Sequence, residues 1–413
     1  MSTRRNPLNI QLRLFPDLLL WLLVSCLVGV LAGTASAGFL FALELTTQTR
    51  LTNPWLLYLL PWAGILIAFI YSRYGKNTDA GNNLLIDEIH NPQKVVPARM
   101  TPFVLAGTLL THLFGGSAGR EGTAVQMGGS LADQLTHLFH FDPEKRKTLL
   151  MAGISAGFSS VFGTPLAGAL FGLEVLAIGK LRYQAILPCF MAAIVADRVC
   201  TSWGVHHSTY SILGTPDLSA LNILWSLVAG ICFGLCALLF SQSSHRLTKL
   251  LKKTFQSPLW RAFLGGITII LGTLLLGTDR YLGLGLAPIA ESFIGPVPIY
   301  DFLLKMIFTL VTLSSGFKGG EVTPLFFIGA TLGNALAWIL PLPASLLAGM
   351  GFVAVFAGAA NTPLACMVMA LEIFGTTPGV YTALACIMSY IFSGHSGIYH
   401  SQRIEVYKHA QKN

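Results

Sequence analysis

Two glycine-rich segments combine residue types that could bind an anion and carry a proton. Each holds a glutamate and a threonine beside glycines: Gly119-Arg120-Glu121-Gly122-Thr123 in the first segment, and Gly319-Gly320-Glu321-Val322-Thr323 in the second. A helical pattern follows each segment, and a helix start offers unpaired N–H donors and a partial positive charge. Each segment therefore predicts an anion site at a helix start, with backbone contributions from Gly119, Arg120, Gly122, Gly320 and Val322.

Glu121 is the residue best suited to couple an anion to a proton. An ionisable residue at membrane depth is costly and by default marks an ion or proton path. Its carboxylate could occupy the anion site itself, and protonation would then vacate the site and load a proton. The alternative is a first-turn glutamate that only stabilises the helix through the helix dipole.

The second segment supplies a matching carboxyl group and a matching hydroxyl group. We expect Glu321 to assist Glu121 in proton transfer, and a carboxylate that caps the first helical turn is an equal alternative. The hydroxyls of Thr123 and Thr323 are candidate donors to the anion. A threonine inside a helix also bonds back to its own backbone, so that interpretation stays open.

Further candidates lie outside the two segments. A polar, glycine-containing break holds Asn82 and Asn83, whose amide N–H groups suit an anion, and a turn-forming role for either asparagine stays open. Tyr399 could point its phenol into the pathway or lie at the membrane interface. Phe327 and its neighbour Phe326 are candidates for the pathway lining, and core packing competes with that interpretation.

The paired segments belong to a longer internal repeat. In each half a Thr-Pro-Leu-Ala turn precedes a glutamate at the same spacing: Thr164 with Glu174, and Thr362 with Glu372. We expect these two glutamates to be structural, through buried hydrogen bonds to a neighbouring turn. Repeats with broken helices are typical of transporters whose substrate site lies between two halves. The halves are predicted at about residues 15–200 and 215–395 of one transmembrane domain, 1–413, with no appended soluble domain.

The composition places these residues in a membrane. Of 413 residues, 53% are hydrophobic and 11% are charged, and the mean hydropathy is +0.65. That apolar content exceeds what one soluble core could bury. Many uncharged runs approach the roughly 20 residues that cross a bilayer, and others are shorter or broken by Gly and Pro. An all-α polytopic membrane fold with half-helices beside full spans is therefore predicted.

Charge and cysteine content limit the remaining functional classes. The net charge of +8 lies in patches beside the apolar runs, at residues 4–13, 145–147 and 246–253. By the positive-inside rule these patches and the amino terminus face the cytoplasm. No basic face with aromatic or motif support indicates nucleic-acid binding. The 7 cysteines lack metal-ligand spacing, so we expect neither a metal nor a cofactor.

The motifs resemble those of the CLC family of chloride channels and anion/proton antiporters. The resemblance covers nearly the whole chain and is carried by three segments: Gly119-Arg120-Glu121-Gly122, Phe162-Gly163-Thr164-Pro165-Leu166-Ala167-Gly168, and Gly320-Glu321-Val322-Thr323-Pro324. The first is similar to the family's gating-glutamate motif, and the third to its second anion-binding helix start. The resemblance implies inverted repeats of broken and tilted helices, and a homodimer with one pathway per subunit.

Three departures from the chloride-selective pattern resemble the fluoride/proton antiporter branch of that family. Where chloride-selective members carry Gly-Ser-Gly-Ile-Pro, this chain reads Gly81-Asn82-Asn83-Leu84-Leu85. Thr123 replaces a proline, and Val175 stands where chloride/proton exchangers have an inner glutamate. The branch also has a glutamate where Glu321 stands. Fluoride is small and tightly hydrated, and an Asn amide supplies the strong donor that it needs.

The sequence thus predicts a fluoride/proton antiporter of a bacterial inner membrane, with fluoride, protons and the lipid bilayer as its partners. Proton entry would drive fluoride export. A chloride or nitrate exchanger, or an anion channel, of the same fold is the alternative. An intramembrane enzyme built on His112, Ser117 and Glu121 is a remote one, because nothing duplicates His112 or Ser117 in the second half.

Overall fold

Helices make up nearly all of the regular structure. The computed structural model describes residues 7–75 and 78–408, with side chains from residue 15 onward. The first eight α-helices are α1 (Pro7–Thr52), α2 (Leu60–Tyr74), α3 (Asn82–His90), α4 (Met100–Leu113), α5 (Glu121–Leu138), α6 (Pro143–Phe162), α7 (Pro165–Glu174) and α8 (Ile186–Ser202). The next eight are α9 (Ala220–Thr254), α10 (Pro258–Leu276), α11 (Leu286–Ile294), α12 (Asp301–Ser314), α13 (Val322–Leu336), α14 (Ala344–Ala360), α15 (Pro363–Phe374) and α16 (Gly379–Phe392). Short 3-10 helices, Pro54–Leu59 and Tyr183–Ala185, precede α2 and α8.

The two sets of eight helices follow similar series of lengths. Each set opens with its longest helix, of 46 residues in α1 and 35 in α9. The third helix has 9 residues in both sets, and the fourth has 14. The last helix of each set packs on the first, α8 on α1 and α16 on α9. The chain therefore builds one arrangement of helices twice.

Full spans and half-spans occur together. Five segments of the described chain are long and apolar enough to cross a membrane: Phe15–Thr52, Pro54–Tyr74, Tyr183–Ser202, Ala220–Thr254 and Pro258–Leu276. Five further apolar helices have 10–17 residues: Met100–Leu113, Val322–Leu336, Ala344–Ala360, Pro363–Phe374 and Gly379–Phe392. A helix of 14 residues is only about 21 Å long, shorter than the roughly 30 Å hydrocarbon core. The predicted mixture of spans and half-helices is confirmed.

Local sequence signals set the ends of α6 and the corner that follows it. The carboxylate of Asp142 accepts hydrogen bonds from the N–H groups of Glu144 (3.0 Å) and Lys145 (2.9 Å), and Pro143 takes the first helical position. The helix ends at Gly163, whose φ of 71° lies in the left-handed region that glycine adopts without strain. Because α7 begins just after this turn, a tight corner joins the two helices.

Reciprocal hydrogen bonds join the short helices α7 and α15, because a glutamate on each helix binds N–H groups at the start of the other. Glu174, which ends α7, accepts hydrogen bonds from the N–H groups of residues 364–365 at 3.1 and 2.9 Å. Glu372 on α15 accepts hydrogen bonds from the N–H groups of residues 166–167, both at 2.8 Å. Such reciprocity is what a two-fold relation between equivalent elements produces. The structural role predicted for both glutamates is confirmed, and each partner turn belongs to the opposite half.

Arg146 differs from the prediction for the basic run 145–147, because its guanidinium is buried rather than free at the surface. Its Nε lies 2.8 Å from Oδ1 of Asp133 on α5, and its Nη1 lies 2.9 Å from Oε2 of Glu88 on α3. A buried charge is tolerated only when it is paired and hydrogen-bonded. The charge of Arg146 therefore binds α3, α5 and α6 together, and the two flanking lysines remain as the surface charges of this run.

The other two basic patches differ in how much of them is described. Residues 246–253 form the last turns of α9, where lysines complement the partial negative charge of the helix end. Arg4 and Arg5 lie outside the described residues, and so does the side chain of Arg13.

Residues 399–404, which we call the strap, fold back over the ends of α7 and α14. Strand β2 (Arg403–Ile404) pairs in parallel with β1 (Ala177–Ile178), which follows α7. The side chain of Gln402 donates hydrogen bonds to the carbonyl oxygens of Val175 (3.0 Å) and Ala360 (3.1 Å). This strap holds Tyr399 inside the protein, with 6% of the residue exposed.

Candidate functional site

The two glycine-rich segments meet as an antiparallel bridge. The N–H of Gly119 donates to the carbonyl oxygen of Gly320 at 2.6 Å, and the N–H of Gly320 donates to the carbonyl oxygen of Gly119 at 2.8 Å. Directly after the bridge, α5 begins at Glu121 and α13 begins at Val322. Two helix starts from opposite halves of the chain therefore lie side by side.

The carboxylate of Glu121 lies on the start of α13. Its Oε2 accepts hydrogen bonds from the N–H groups of Thr323 and Arg120, both at 3.1 Å, and its Oε1 accepts one from the hydroxyl of Thr323. The guanidinium Nε of Arg120 lies 3.8 Å from Oε1, and Glu121 is fully buried. The carboxylate thus takes the place in which a helix start binds a free anion.

Glycine is required at positions 119 and 122 by the close approach of the two segments. A Cβ atom on Gly119 would lie 2.8 Å from Oε2 of Glu121 and 2.9 Å from the carbonyl oxygen of Gly320. A Cβ atom on Gly122 would lie 3.1 Å from Cα of Gly320. Side chains at these positions would separate the two helix starts, so their absence lets the Glu121 carboxylate reach the start of α13.

A narrow space, which we call the outer cavity, opens on Glu121. Its volume is about 20 Å³, and its wall includes Arg120, Glu121, Tyr210, Thr323 and Phe326. A water molecule needs roughly 10–15 Å³ of such volume. The outer cavity therefore has room for one species of that size beside the carboxylate.

A larger space of about 150 Å³, which we call the inner cavity, is lined by polar groups that include Asn82, Glu321 and Tyr399. Glu321 is the N-cap residue of α13, yet its side chain makes no capping hydrogen bond. The capping interpretation of Glu321 is therefore wrong. Glu321 thus borders the inner cavity, whereas Glu121 borders the outer one, and the two acids face different spaces.

Asn82 and Asn83 have different surroundings. Nδ2 of Asn82 lies 3.1 Å from the position of a Cβ on Gly122, at the junction of the two helix starts. Oδ1 of Asn82 is buried without a hydrogen-bond partner among the described residues. Oδ1 of Asn83 instead accepts a hydrogen bond from the N–H of Ser401 at 3.1 Å. The Nδ2 donor of Asn82 thus faces the junction of the two helix starts, whereas Oδ1 of Asn83 holds the strap.

Thr123 and Thr323 are not equivalent, although their sequence positions are. The hydroxyl of Thr123 lies 2.7 Å from that of Thr108 on α4, because α4 packs along α5. The hydroxyl of Thr323 donates to Glu121. Of the two threonines, Thr323 brings its hydroxyl to the Glu121 carboxylate, and the role of Thr123 as a donor to the anion stays a prediction.

The two phenylalanine candidates lie in different surroundings. Phe327 is fully buried, with its ring centre 5.3 Å from the ammonium of Lys305, and Phe326 borders the outer cavity. Successive residues of an α-helix project about 100° apart. Neighbouring phenylalanines therefore face different surroundings: Phe326 borders the outer cavity, and pathway lining by Phe327 stays a prediction.

The three residues of the enzyme alternative are not joined. The hydroxyl of Ser117 lies 3.0 Å from that of Thr309 on α12, and Nε2 of His112 has no hydrogen-bond partner among the described residues. The described part of the chain shows no hydrogen bond from Ser117 or His112 to Glu121. Within the described chain, these three side chains therefore do not form the hydrogen-bonded nucleophile and base that covalent catalysis needs.

Three polar residues near the site were not singled out by the sequence motifs. Gln126 on α5 and Lys318 in the second glycine-rich segment both line the inner cavity. Lys305 on α12 is fully buried, and its ammonium donates hydrogen bonds to the carbonyl oxygens of Tyr281 (3.1 Å) and Gly283 (2.7 Å). The available signal was the same in each case: a polar or charged residue stands inside an apolar or glycine-rich run.

Sequence comparison identifies the family. The profile of the family described as "Voltage gated chloride channel" matches residues 63–394. The "Chloride/fluoride channel protein" of Pseudomonas syringae pv. tomato is 56% identical over 415 residues, which cover 99% of this chain and 91% of that protein. Both matches extend over most of the chain, so they include both glycine-rich segments.

Solved structures show the same architecture. A CLC-type fluoride/proton antiporter has a crystal structure that matches with a TM-score of 0.91 at 38% identity, over 94% of this chain and 99% of the other. A slow cyanobacterial Cl-/H+ antiporter matches in fold with a TM-score of 0.80 at 20% identity, over 92% and 96%. With these matches beside the paired helix starts, the chain belongs to the voltage gated chloride channel family, the CLC family, and has its all-α polytopic membrane fold.

Proposed function

We propose that this protein is a fluoride/proton antiporter of a bacterial inner membrane, which exports fluoride from the cytoplasm in exchange for entering protons. The observation that carries the proposal is the Glu121 carboxylate on the start of α13, held by the N–H and hydroxyl of Thr323. The likeness to the CLC-type fluoride/proton antiporter and to the chloride/fluoride channel protein supports it. No cofactor is part of the proposal.

Exchange follows from competition for one set of donors. Ionised Glu121 accepts the N–H groups at the helix start and excludes another anion from them. Protonation removes the charge that these donors favour, so the carboxyl group leaves with its proton and an anion takes its place. Because the carboxylate and the anion cannot occupy the donors together, movement of one is linked to movement of the other.

A proton that leaves Glu121 for the cytoplasm needs a second group that can accept and release it. By resemblance, Val175 stands at the position where chloride/proton exchangers have an inner glutamate. Here that position is buried and apolar. Glu321 borders the inner cavity and caps no N–H group of its helix. Glu321 therefore assists Glu121 as the acid that passes protons through the inner cavity.

Selectivity for fluoride rests on strong donors at the junction of the two helix starts. Fluoride holds its water tightly, and a site must replace that water with hydrogen bonds of similar strength. The amide of Asn82 stands at this junction, with the phenol-bearing Tyr399 on the same inner cavity. The backbone N–H groups around Arg120, Gly122 and Val322 would complete the anion site, whereas those of Gly119 and Gly320 hold the two segments together in the antiparallel bridge.

The assembly is proposed from the same reasoning. The chain forms a single transmembrane domain, 1–413, whose two repeats span about residues 15–200 and 215–395. The family resemblance favours a homodimer with one pathway in each subunit. Basic residues at 145–147 and 246–253 favour the cytoplasm for the helix ends that carry them.

The substrate assignment is tested in proteoliposomes. We expect liposomes loaded with fluoride to release it, as followed by a fluoride electrode, with a simultaneous uptake of protons recorded by a pH electrode. Liposomes loaded with chloride should release their anion far more slowly. Chloride release as fast as fluoride release would contradict the fluoride assignment, and would favour a chloride or nitrate exchanger of the same fold.

A separate prediction concerns the two asparagines. We expect Asn82→Ala to raise the half-saturating fluoride concentration by roughly 10- to 100-fold, because one hydrogen bond to a charged group is worth about 1.5–3 kcal/mol. Asn83→Ala should leave that concentration unchanged and lower thermal stability, because it frees Ser401 of the strap. Fluoride efflux at graded loading concentrations measures the first effect, and thermal unfolding in detergent measures the second. Equal shifts in the two variants would contradict the assignment of Asn82.

A further inference from the structure

A third space adjoins the inner cavity. It has a volume of about 530 Å³, and we call it the vestibule. The vestibule and the inner cavity share five wall residues: Tyr71, Asp79, Leu313, Phe317 and Lys318. An ion that moves from the vestibule into the inner cavity has to pass this shared wall.

An ion pair stands in the shared wall. Nζ of Lys318 lies 2.5 Å from Oδ1 of Asp79 and 4.0 Å from the ring centre of Tyr71, within the range of a cation–π contact. The stem of Lys318 rests on α4, where a Cβ on Gly107 would lie 2.9 Å from Cγ of Lys318. The Lys318 side chain is 18% exposed and that of Asp79 is 74% exposed. The cation is therefore held in place, whereas the carboxylate is free to turn into solvent.

The charges along these walls favour an anion. Of the residues that the structure describes, three cations and one carboxylate line the vestibule: Lys252, Arg261, Lys318 and Asp79. Among the described residues that line the inner cavity, Lys318 is the only lysine or arginine. A cleft lined by one sign of charge concentrates ions of the opposite sign. Lys318 is thus the last of these cations that an anion meets before it reaches Asn82.

We propose that Lys318 is an anion-recruiting site at the entrance to the inner cavity, and that Asp79 is its displaceable competitor; the proposal rests on the transport function above. A small inorganic anion replaces the Asp79 carboxylate at the ammonium, because that carboxylate is 74% exposed and water competes for it. The anion then moves on towards Asn82, and Asp79 restores the pair behind it. At Lys318 the Asp79 carboxylate thus competes with a free anion, as the Glu121 carboxylate does at the start of α13.

The test compares two variants with opposite expected effects. In proteoliposomes at low ionic strength, Lys318→Met should raise the half-saturating fluoride concentration by about tenfold, because it removes the cation and keeps the stem. Asp79→Asn should lower that concentration, because it removes the competitor. In both variants the maximal rate and the ratio of fluoride to protons should stay at the wild-type values. Added impermeant salt should shrink both shifts.

A purely structural role for the pair gives a different pattern. If the pair only supports its loop, both variants shift the half-saturating concentration in the same direction or leave it unchanged, and either result overturns the proposal. Lys318→Arg keeps the charge and should behave as wild type. Should Lys318→Met fail to fold, Lys318→Arg and Asp79→Asn decide the question by the same readout.

Two controls separate this site from its surroundings and from the proposed function. Lys252→Met removes a vestibule cation that does not border the inner cavity, so its shift should be smaller than that of Lys318→Met. Fluoride efflux from wild-type protein without proton uptake would contradict antiport. The shifts caused by Lys318→Met and Asp79→Asn would still report on anion recruitment in that case.

Discussion

Glu121→Gln is expected to abolish proton movement driven by fluoride while the protein remains folded. Glutamine has nearly the shape of glutamate, and its carbonyl oxygen retains the ability to accept the N–H of Thr323. It cannot gain and lose a proton in the pH range of the cell. We expect proton uptake per unit time to fall by at least about 100-fold, the lower range of what a positioned acid or base contributes. Proteoliposomes loaded with fluoride, with a pH electrode outside, measure it.

Fluoride flux in the same variant distinguishes an exchanger from a channel. In an exchanger the neutral amide either stays on the donors and stops fluoride, or leaves them and lets fluoride move without protons. A channel shows no coupled proton flux to lose. Proton-linked fluoride efflux at the wild-type rate in Glu121→Gln would contradict the mechanism.

Glu372→Gln is the matched control for Glu121→Gln. The Glu372 carboxylate also accepts hydrogen bonds from the start of a helix, at residues 166–167. It lines neither the outer nor the inner cavity. The same chemical change at Glu372 should weaken the contact between α7 and α15 and leave the ratio of fluoride to protons unchanged. Loss of coupling in both variants would point to a general structural effect.

The sequence predicted the features that depend on local pattern. Gly119 and Glu121 are followed by a helical pattern, as are Gly320 and Glu321, and both helices begin within a residue of these glutamates. The equal register of the two motif series predicted a duplicated architecture. Glycine, proline and apolar run length act through backbone sterics and solvation, which neighbouring residues largely determine. That is why these expectations survive in the structure.

Side-chain direction could not be predicted in the same way. Thr123 and Thr323 match in sequence, yet one hydroxyl faces α4 and the other faces Glu121. Asn82 and Asn83 are neighbours, and only the position of the strap separates them. Each outcome depends on which distant element packs alongside, and such contacts leave no local pattern. The family resemblance indicates roughly where the site lies, but it does not say which threonine hydroxyl or which asparagine amide faces it.

Charge pairing is the other feature that the sequence left out. The run 145–147 predicts a surface patch, because adjacent basic residues beside an apolar helix usually orient a membrane protein. Glu88 and Asp133 lie far from Arg146 along the chain, and only the packing of α3 and α5 against α6 brings them together. Arg146 therefore serves as a buried ion-pair partner and does not add to the surface charge that would orient the protein in the membrane.

Arg146→Met is accordingly expected to destabilise the fold by about 3–5 kcal/mol, the usual cost of removing one partner from a buried ion pair. The change leaves the carboxylates of Glu88 and Asp133 buried without their cation. Thermal unfolding in detergent measures the loss. Lys147→Met is the adjacent control: Lys147 pairs with Glu144, whose side chain is 73% exposed, and such pairs contribute about 0–1 kcal/mol.

The position of this ion pair connects stability to transport. Glu88 lies on α3, which begins at Asn82, and Asp133 lies on α5, which begins at Glu121. Arg146 therefore fixes the two helices whose first residues would bind the anion and the proton. Neutralising the acids as well, in Glu88→Gln with Asp133→Asn and Arg146→Met, should recover part of the lost stability, because no uncompensated charge stays buried. Equal stability of Arg146→Met and Lys147→Met would show that the buried pair does not hold these helices together.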